Sequence, residues 1–153
     1  MKIQDILSRD CVRAELSATN KKEVVHELST MVASAYDEID AQELEEVLIQ
    51  RERLGSTGIG NGVAILHGKL PNLENIITGF GRSLPGLSFD AQDSKEVHLF
   101  FVLIAPKNSA SLHLKAMARL SRLLKDAHFR NRLYESDTAE KIYDVIITED
   151  EKF

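Results

Sequence analysis

Cysteine is nearly absent from this 153-residue chain: Cys11 stands alone. One cysteine rules out a disulfide framework and a thiolate metal site. A reducing cytoplasm is therefore the expected setting. The opening Met1–Asp5 lacks the basic-then-apolar pattern of a secretory signal. The longest apolar run, Leu99 to Ala105, is too short to cross a bilayer, so no membrane insertion is expected. There is no excess of basic residues either. The formal net charge is −5, which argues against nucleic acid as the main partner. Internal repeats, low-complexity tracts and linkers are also missing. What remains is ordinary: 43% hydrophobic and 28% charged residues, in a length that suits one domain, residues 1–153.

Periodicity predicts an α/β fold. Cys11 to Leu16 alternates like a strand. Thr19 and Asn20 offer a helix start, followed by Val24, Val25, Leu28, Met31, Val32 and Ala35 at helical spacing. A second helix is predicted from Ala41 to about Arg53. Its stripe is Leu44, Val47 and Leu48, and Arg51 falls next on the same face. Strands are predicted at Val63 to Leu66, Ile76 to Gly81 and Val97 to Ala105, with Pro71, a Pro85-Gly86 turn and Pro106 as breaks. The third of these is nearly all apolar and reads as a central strand covered on both faces. Helices follow at Leu112 to Lys125, 127–134 and about Thr138 to Ile147. Strands interleaved with helices imply a mixed central sheet flanked by helices, with strand order left open.

The most informative stretch is Gly55-Ser56-Thr57-Gly58-Ile59-Gly60-Asn61-Gly62-Val63-Ala64-Ile65-Leu66-His67-Gly68-Lys69. Its first half reads as a glycine loop able to approach a ligand closely. Its second half reads as a short strand delivering His67 to its end. Two nucleotide motifs fail here. A P-loop needs four residues between its first glycine and the Gly-Lys pair; five separate Gly62 from Gly68, and Leu70 replaces the hydroxyl. The dinucleotide fingerprint fails because a strand, not a helix, follows the glycines. No cofactor is expected. Without a Cys partner or a His-Glu-x-x-His pattern, no metal site is expected. No serine has the Gly-x-Ser-x-Gly context of a hydrolase.

Of the five histidines, His26 and His128 sit in polar stretches and read as solvated, and His98 reads as structural. His113 falls in the first turn of the third helix. The positive dipole end there favours a neutral ring able to donate to an anion. The same position suits a histidine packing on the helix stripe. His67 remains as a nucleophile able to carry a covalent intermediate. Phosphoryl suits the surroundings, since Arg51 and the loop, including Ser56 and Thr57, offer donors and a cation.

At these residues the sequence resembles a known family. Met1-Lys2-Ile3-Gln4-Asp5-Ile6-Leu7, Gln50-Arg51-Glu52-Arg53-Leu54-Gly55-Ser56-Thr57-Gly58-Ile59-Gly60, Gly62-Val63-Ala64-Ile65-Leu66-His67-Gly68-Lys69, and His113-Leu114 running into Leu120-Ser121-Arg122-Leu123-Leu124 are similar to the enzyme IIA domains of the phosphoenolpyruvate-dependent phosphotransferase system. Within the fructose–mannitol group they are most similar to the stand-alone nitrogen-branch IIA proteins. The resemblance implies a phosphotransferase component, phosphorylated on His67 by an HPr-like carrier, with Arg51 contacting the phosphoryl group and His113 supporting it. It also implies regulatory partners such as a sensor kinase or a potassium transporter. Alternatives are a regulator acting mainly by binding, and a sugar-transport IIA that passes phosphate to a IIB domain. The chain departs from the family at one point. Proline usually precedes the active histidine; here it is Leu66, which restores an N–H and frees φ.

Overall fold

The computed structural model describes residues 1–152; Phe153, the last residue of the expected domain, lies outside them. A 3-10 turn at Ile3–Asp5 leads into β1 (Leu7–Arg13), then α1 (Lys21–Ala35) and α2 (Ala41–Arg53). Strands β2 (Gly58–Gly60), β3 (Val63–Leu70), β4 (Ile77–Leu87) and β5 (Val97–Pro106) follow, then α3 (Ala110–Leu124), α4 (Ala127–Glu135) and α5 (Ala139–Asp150). The strands form one mixed sheet in the order β1-β4-β5-β3-β2. β1 runs parallel to β4 and β3 parallel to β5; β4 with β5 and β2 with β3 are antiparallel. The expected class, a mixed sheet flanked by helices, is the one observed.

Local chemistry explains most boundaries. Asn20 caps α1 by accepting from the Glu23 N–H, and the Glu23 carboxylate accepts in turn from Thr19. Asp40 and Thr138 cap α2 and α5 in the same way. Strand β5 is buried from Leu99 to Ala105 and lies inside the sheet, so both of its faces need apolar residues. Its Phe101 packs edge-on against Phe80 of β4, with ring centroids 4.9 Å apart.

Helices α1 and α2 cover one face. A Cβ on Gly79 or Gly81 of β4 would press on Met31, Leu16 and Leu28, and one on Gly68 of β3 would lie 2.5 Å from Val47. Only glycine lets α2 come this close to β3, beside His67. Helices α3, α4 and α5 contact β5 and β1 and cover the other face.

Several expected elements shift. The first strand begins at Leu7, not Cys11, because Leu7 to Arg13 finds its partner in β4; Leu16 lies beyond it, donating to the Arg82 carbonyl. The glycine run is not wholly a loop. Gly58–Gly60 pairs with β3 through a two-residue turn, Asn61-Gly62, both at positive φ (57° and 76°). Such an Asn-Gly turn matches the twist of a hairpin. β3 does not end at Leu66: its pairing with β5 continues to Leu70 opposite Pro106, so His67 lies within the strand. Pro85-Gly86 falls inside β4 as a break in register between Arg82 and Leu87, not as a turn closing the strand. Helix α5 runs past Ile147 to Asp150, where Arg119 pairs with Asp150 and Arg132 with Glu149.

Candidate functional site

Strand alternation builds the site. Leu66 and Gly68 point toward α2, so His67 and Lys69 point the other way, toward α3. Val63 to Leu66 are buried and His67 is half-buried, so the ring stands where the strand emerges from the core. The hairpin pairing of β2 stops near Ile65, whose N–H bonds the Thr57 carbonyl. Beyond that point no strand among the described residues covers the outer edge of β3, and Arg51 reaches His67 from the last turn of α2.

The ring is held by two hydrogen bonds that dictate its tautomer. Nδ1 lies 3.1 Å from the Ile65 carbonyl, which can only accept, so Nδ1 carries the proton. Arg51 Nε donates to Nε2 at 3.1 Å, so Nε2 presents its lone pair. Arg51 Nη1 meanwhile donates to the Gly55 carbonyl at 2.7 Å. Burial pushes the His67 pKa below its ordinary value; the Ile65 carbonyl opposes this, Arg51 adds to it, and Glu52 opposes it. The neutral, nucleophilic form is thereby favoured.

His113 packs edge-on against His67, with centroids 5.3 Å apart and planes at 65°. It lies in the first turn of α3, where its N–H makes a helical bond to the Ser109 carbonyl. Burial lowers its pKa, and His67 and Lys69 add to the effect. Its Nδ1 is buried with no hydrogen-bond partner. A buried polar atom without a partner is costly unless a ligand completes it.

These groups line an open cleft of about 560 Å³ that also includes Gln50, Leu54, Lys69 and Leu114. Roomier hollows of about 690 and 760 Å³ lie elsewhere and do not include His67, so volume does not identify the site. Three of the site residues expected from sequence, His67, His113 and Arg51, come together. Ser56 and Thr57 do not line the cleft. Ser56 Oγ donates to the Phe89 carbonyl at 2.9 Å and accepts from the Gly58 N–H, while Thr57 donates from both N–H and hydroxyl to Glu52. Lys69 and the exposed Leu54 and Leu114 were not singled out from sequence. Period-two alternation from His67 was the available signal for Lys69; nothing local marks the leucines.

The other histidines fall outside the cleft. His26 is exposed and pairs with Glu45 at 2.6 Å, His98 Nδ1 donates to the carbonyls of Ser83 and Leu84, and His128 is exposed. Among the described residues no group of three or more His, Cys, Asp or Glu is placed to hold a metal ion. No helix among them is long and apolar enough to cross a membrane.

Known proteins resemble the chain in sequence and in fold. Residues 5–149 match the family described as "Phosphoenolpyruvate-dependent sugar phosphotransferase system, EIIA 2". A nitrogen regulatory protein of Bradyrhizobium diazoefficiens is 39% identical over 146 residues, which span 95% of each chain. A fructose-specific EIIABC component from Bacillus subtilis is 34% identical over 146 residues, 95% of this chain and 23% of that longer one. Among solved structures, the nitrogen regulatory protein IIA-Ntr from Neisseria meningitidis superposes with a TM-score of 0.87 at 29% identity, covering 94% of this chain and 98% of the other. IIA mannitol from Escherichia coli shares the fold, with a TM-score of 0.77 at 16% identity over 91% and 97% of the two chains. A match along nearly the whole length, in sequence and in fold, means that the chain belongs to the EIIA 2 family of the phosphoenolpyruvate-dependent sugar phosphotransferase system.

Proposed function

We propose that the chain is a regulatory phosphocarrier: His67 Nε2 accepts a phosphoryl group from the phosphohistidine of an HPr-like carrier, and the phosphorylation state is the signal. The observation that carries this reading is the fixed tautomer. Nδ1 is held by the Ile65 carbonyl, and the Nε2 lone pair faces Arg51 in an open cleft. A bond forms from Nε2 to phosphorus as the phosphorus–nitrogen bond to the carrier's ring breaks, and the carrier's ring leaves with that electron pair. Positive charge developing on the His67 ring is eased by the Ile65 carbonyl at Nδ1. The Arg51 Nε–H turns from Nε2 to a phosphoryl oxygen, where a charge-assisted bond is stronger, while Nη1 stays on the Gly55 carbonyl. Lys69 adds positive charge, and the unpartnered His113 Nδ1 gains an acceptor in a phosphoryl oxygen. Positioning and charge stabilisation do most of the work in this class of transfer.

The donor is a protein, and the rim of the cleft suits one. Leu54 and Leu114 line it and are 85% and 67% exposed, large apolar side chains left in water beside the nucleophile. Ser56 and Thr57 shape the loop that presents the Gly55 carbonyl to Arg51. Nitrogen regulatory proteins match along nearly their whole length, which favours regulation of targets such as a kinase or transporter over relay to a IIB domain.

The test is intact-mass analysis after incubation with phosphoenolpyruvate, enzyme I and an HPr-like carrier. One acid-labile phosphate is expected on the native chain and none on His67→Ala. Full phosphorylation of that variant would remove His67 from the role.

A further inference from the structure

Glu52 sits where a carboxylate is least welcome. It lies in the last turn of α2, at the negative end of the helix dipole. Its side chain is only 7% exposed. A buried carboxylate persists only when paired and hydrogen-bonded. Lys21 Nζ stands 2.9 Å from one oxygen. The Thr57 N–H donates to both oxygens, at 3.0 and 3.2 Å, and the Thr57 hydroxyl donates to the same group. None of these partners belongs to α2: Lys21 opens α1, and Thr57 precedes β2.

The result is a small loop fastened at both ends to one residue. The Gly55 N–H bonds the Glu52 backbone carbonyl at 3.1 Å, and Thr57 bonds its carboxylate. Between them Ser56 is anchored to the Phe89 carbonyl, and the Phe89 ring lies 4.7 Å beneath the same Lys21 ammonium. The loop carries the Gly55 carbonyl that accepts from Arg51 Nη1 at 2.7 Å while Arg51 Nε addresses His67.

We propose that Glu52 is a positioning residue for phosphoryl transfer: its carboxylate, held by Lys21, fastens Thr57 so that the Gly55 carbonyl aims the Arg51 guanidinium at His67 Nε2 and the incoming phosphoryl group. This rests on the reading of His67 as acceptor. Glu52 acts through Arg51, since Arg51 and not Glu52 lines the cleft. Its negative charge also favours the protonated His67 ring, against the effect of Arg51. Charge and geometry are therefore separable by substitution.

The experiment uses the full chain as Glu52→Ala, Glu52→Gln and Thr57→Val. Two quantities are read: the transfer rate against the concentration of phosphorylated HPr-like carrier, and the Arg51 Nε–H resonance of the unphosphorylated protein. Glu52→Ala should lower the rate at saturating carrier by on the order of tenfold, leave the half-saturating concentration unchanged, and expose the Arg51 Nε–H to rapid solvent exchange. Glu52→Gln keeps an acceptor for Thr57 and should recover part of that loss. An unchanged saturating rate, or an Arg51 resonance as protected as in the native chain, overturns the proposal. If Glu52→Ala does not fold, Thr57→Val carries the same two readings with a smaller expected loss, about threefold. A native chain that takes no phosphate would sink the acceptor assignment, and the Arg51 resonance then decides separately whether Glu52 aims the guanidinium.

Discussion

Replacing Arg51 with alanine and with lysine separates charge from geometry at the cleft. The guanidinium has five N–H donors. One is used on His67 Nε2 at 3.1 Å and one on the Gly55 carbonyl at 2.7 Å, and the planar fork makes both at once. A lysine ammonium keeps the charge but gathers its donors on one atom, so it cannot hold the loop carbonyl and address His67 together. Loss of a preorganised donor at a transition state costs about 10²–10³-fold. The cleft here is open to solvent, so the lower end applies. Arg51→Ala should slow phosphoryl acceptance about 10²-fold, or ~2.7 kcal/mol, and Arg51→Lys about tenfold, or ~1.4 kcal/mol. Stability should fall by less than about 1 kcal/mol in either variant, since Arg51 is partly exposed at a helix end. The assay is a quenched time course from phosphorylated carrier, with thermal melts run alongside. Native transfer rates in Arg51→Ala together with a clearly lowered melting temperature would refute the reasoning and make Arg51 a helix-end anchor.

Three further outcomes follow from the same geometry. His113→Gln keeps a donor and should retain most of the transfer rate, whereas His113→Ala should lose about tenfold more; equal rates would make the residue a packing element. Leu66 is 1% exposed, so Leu66→Pro removes a core side chain and a strand N–H. It should lower stability by about 2 kcal/mol in urea titrations while changing the transfer rate only modestly, and unchanged stability would contradict this placement. The pKa of both His67 and His113 is depressed in the folded chain. Between those lowered values and the ordinary value near 6.5, the unfolded chain binds more protons, so stability rises with pH through that window and is lost as pH falls through it. Urea midpoints at pH 5 and 8 should show this difference, and His67→Gln with His113→Gln should reduce it; an equal difference in the double variant would place the linkage elsewhere.

Much of the scaffold was legible because it is written in short-range patterns. The helix cap at Asn20 is a matter of one side chain and an N–H three residues on. The covered strand at Val97 to Ala105 announces itself by the lack of any polar break after His98. Arg51 could be placed on the inner stripe of its helix from the 3.6-residue period alone. The shift of β1 to Leu7 was not legible, since pairing with a strand some 70 residues away decides it.

The sequence by itself determined the fold class, through local periodicity, and singled out His67, Arg51 and His113, through residue type and the resemblance to the IIA domains. Only the tertiary structure decided where Ser56 and Thr57 direct their hydroxyls, that β3 carries His67 within the strand rather than at its end, and that Lys69, Leu54 and Leu114 border the same cleft. Those outcomes depend on how the elements pack rather than on residue type. A hydroxyl bonds to whichever acceptor the fold delivers: Glu52 lies five residues from Thr57, and Phe89 lies 33 from Ser56. No local pattern records that choice, which is made when α2 closes onto β3 across Gly68.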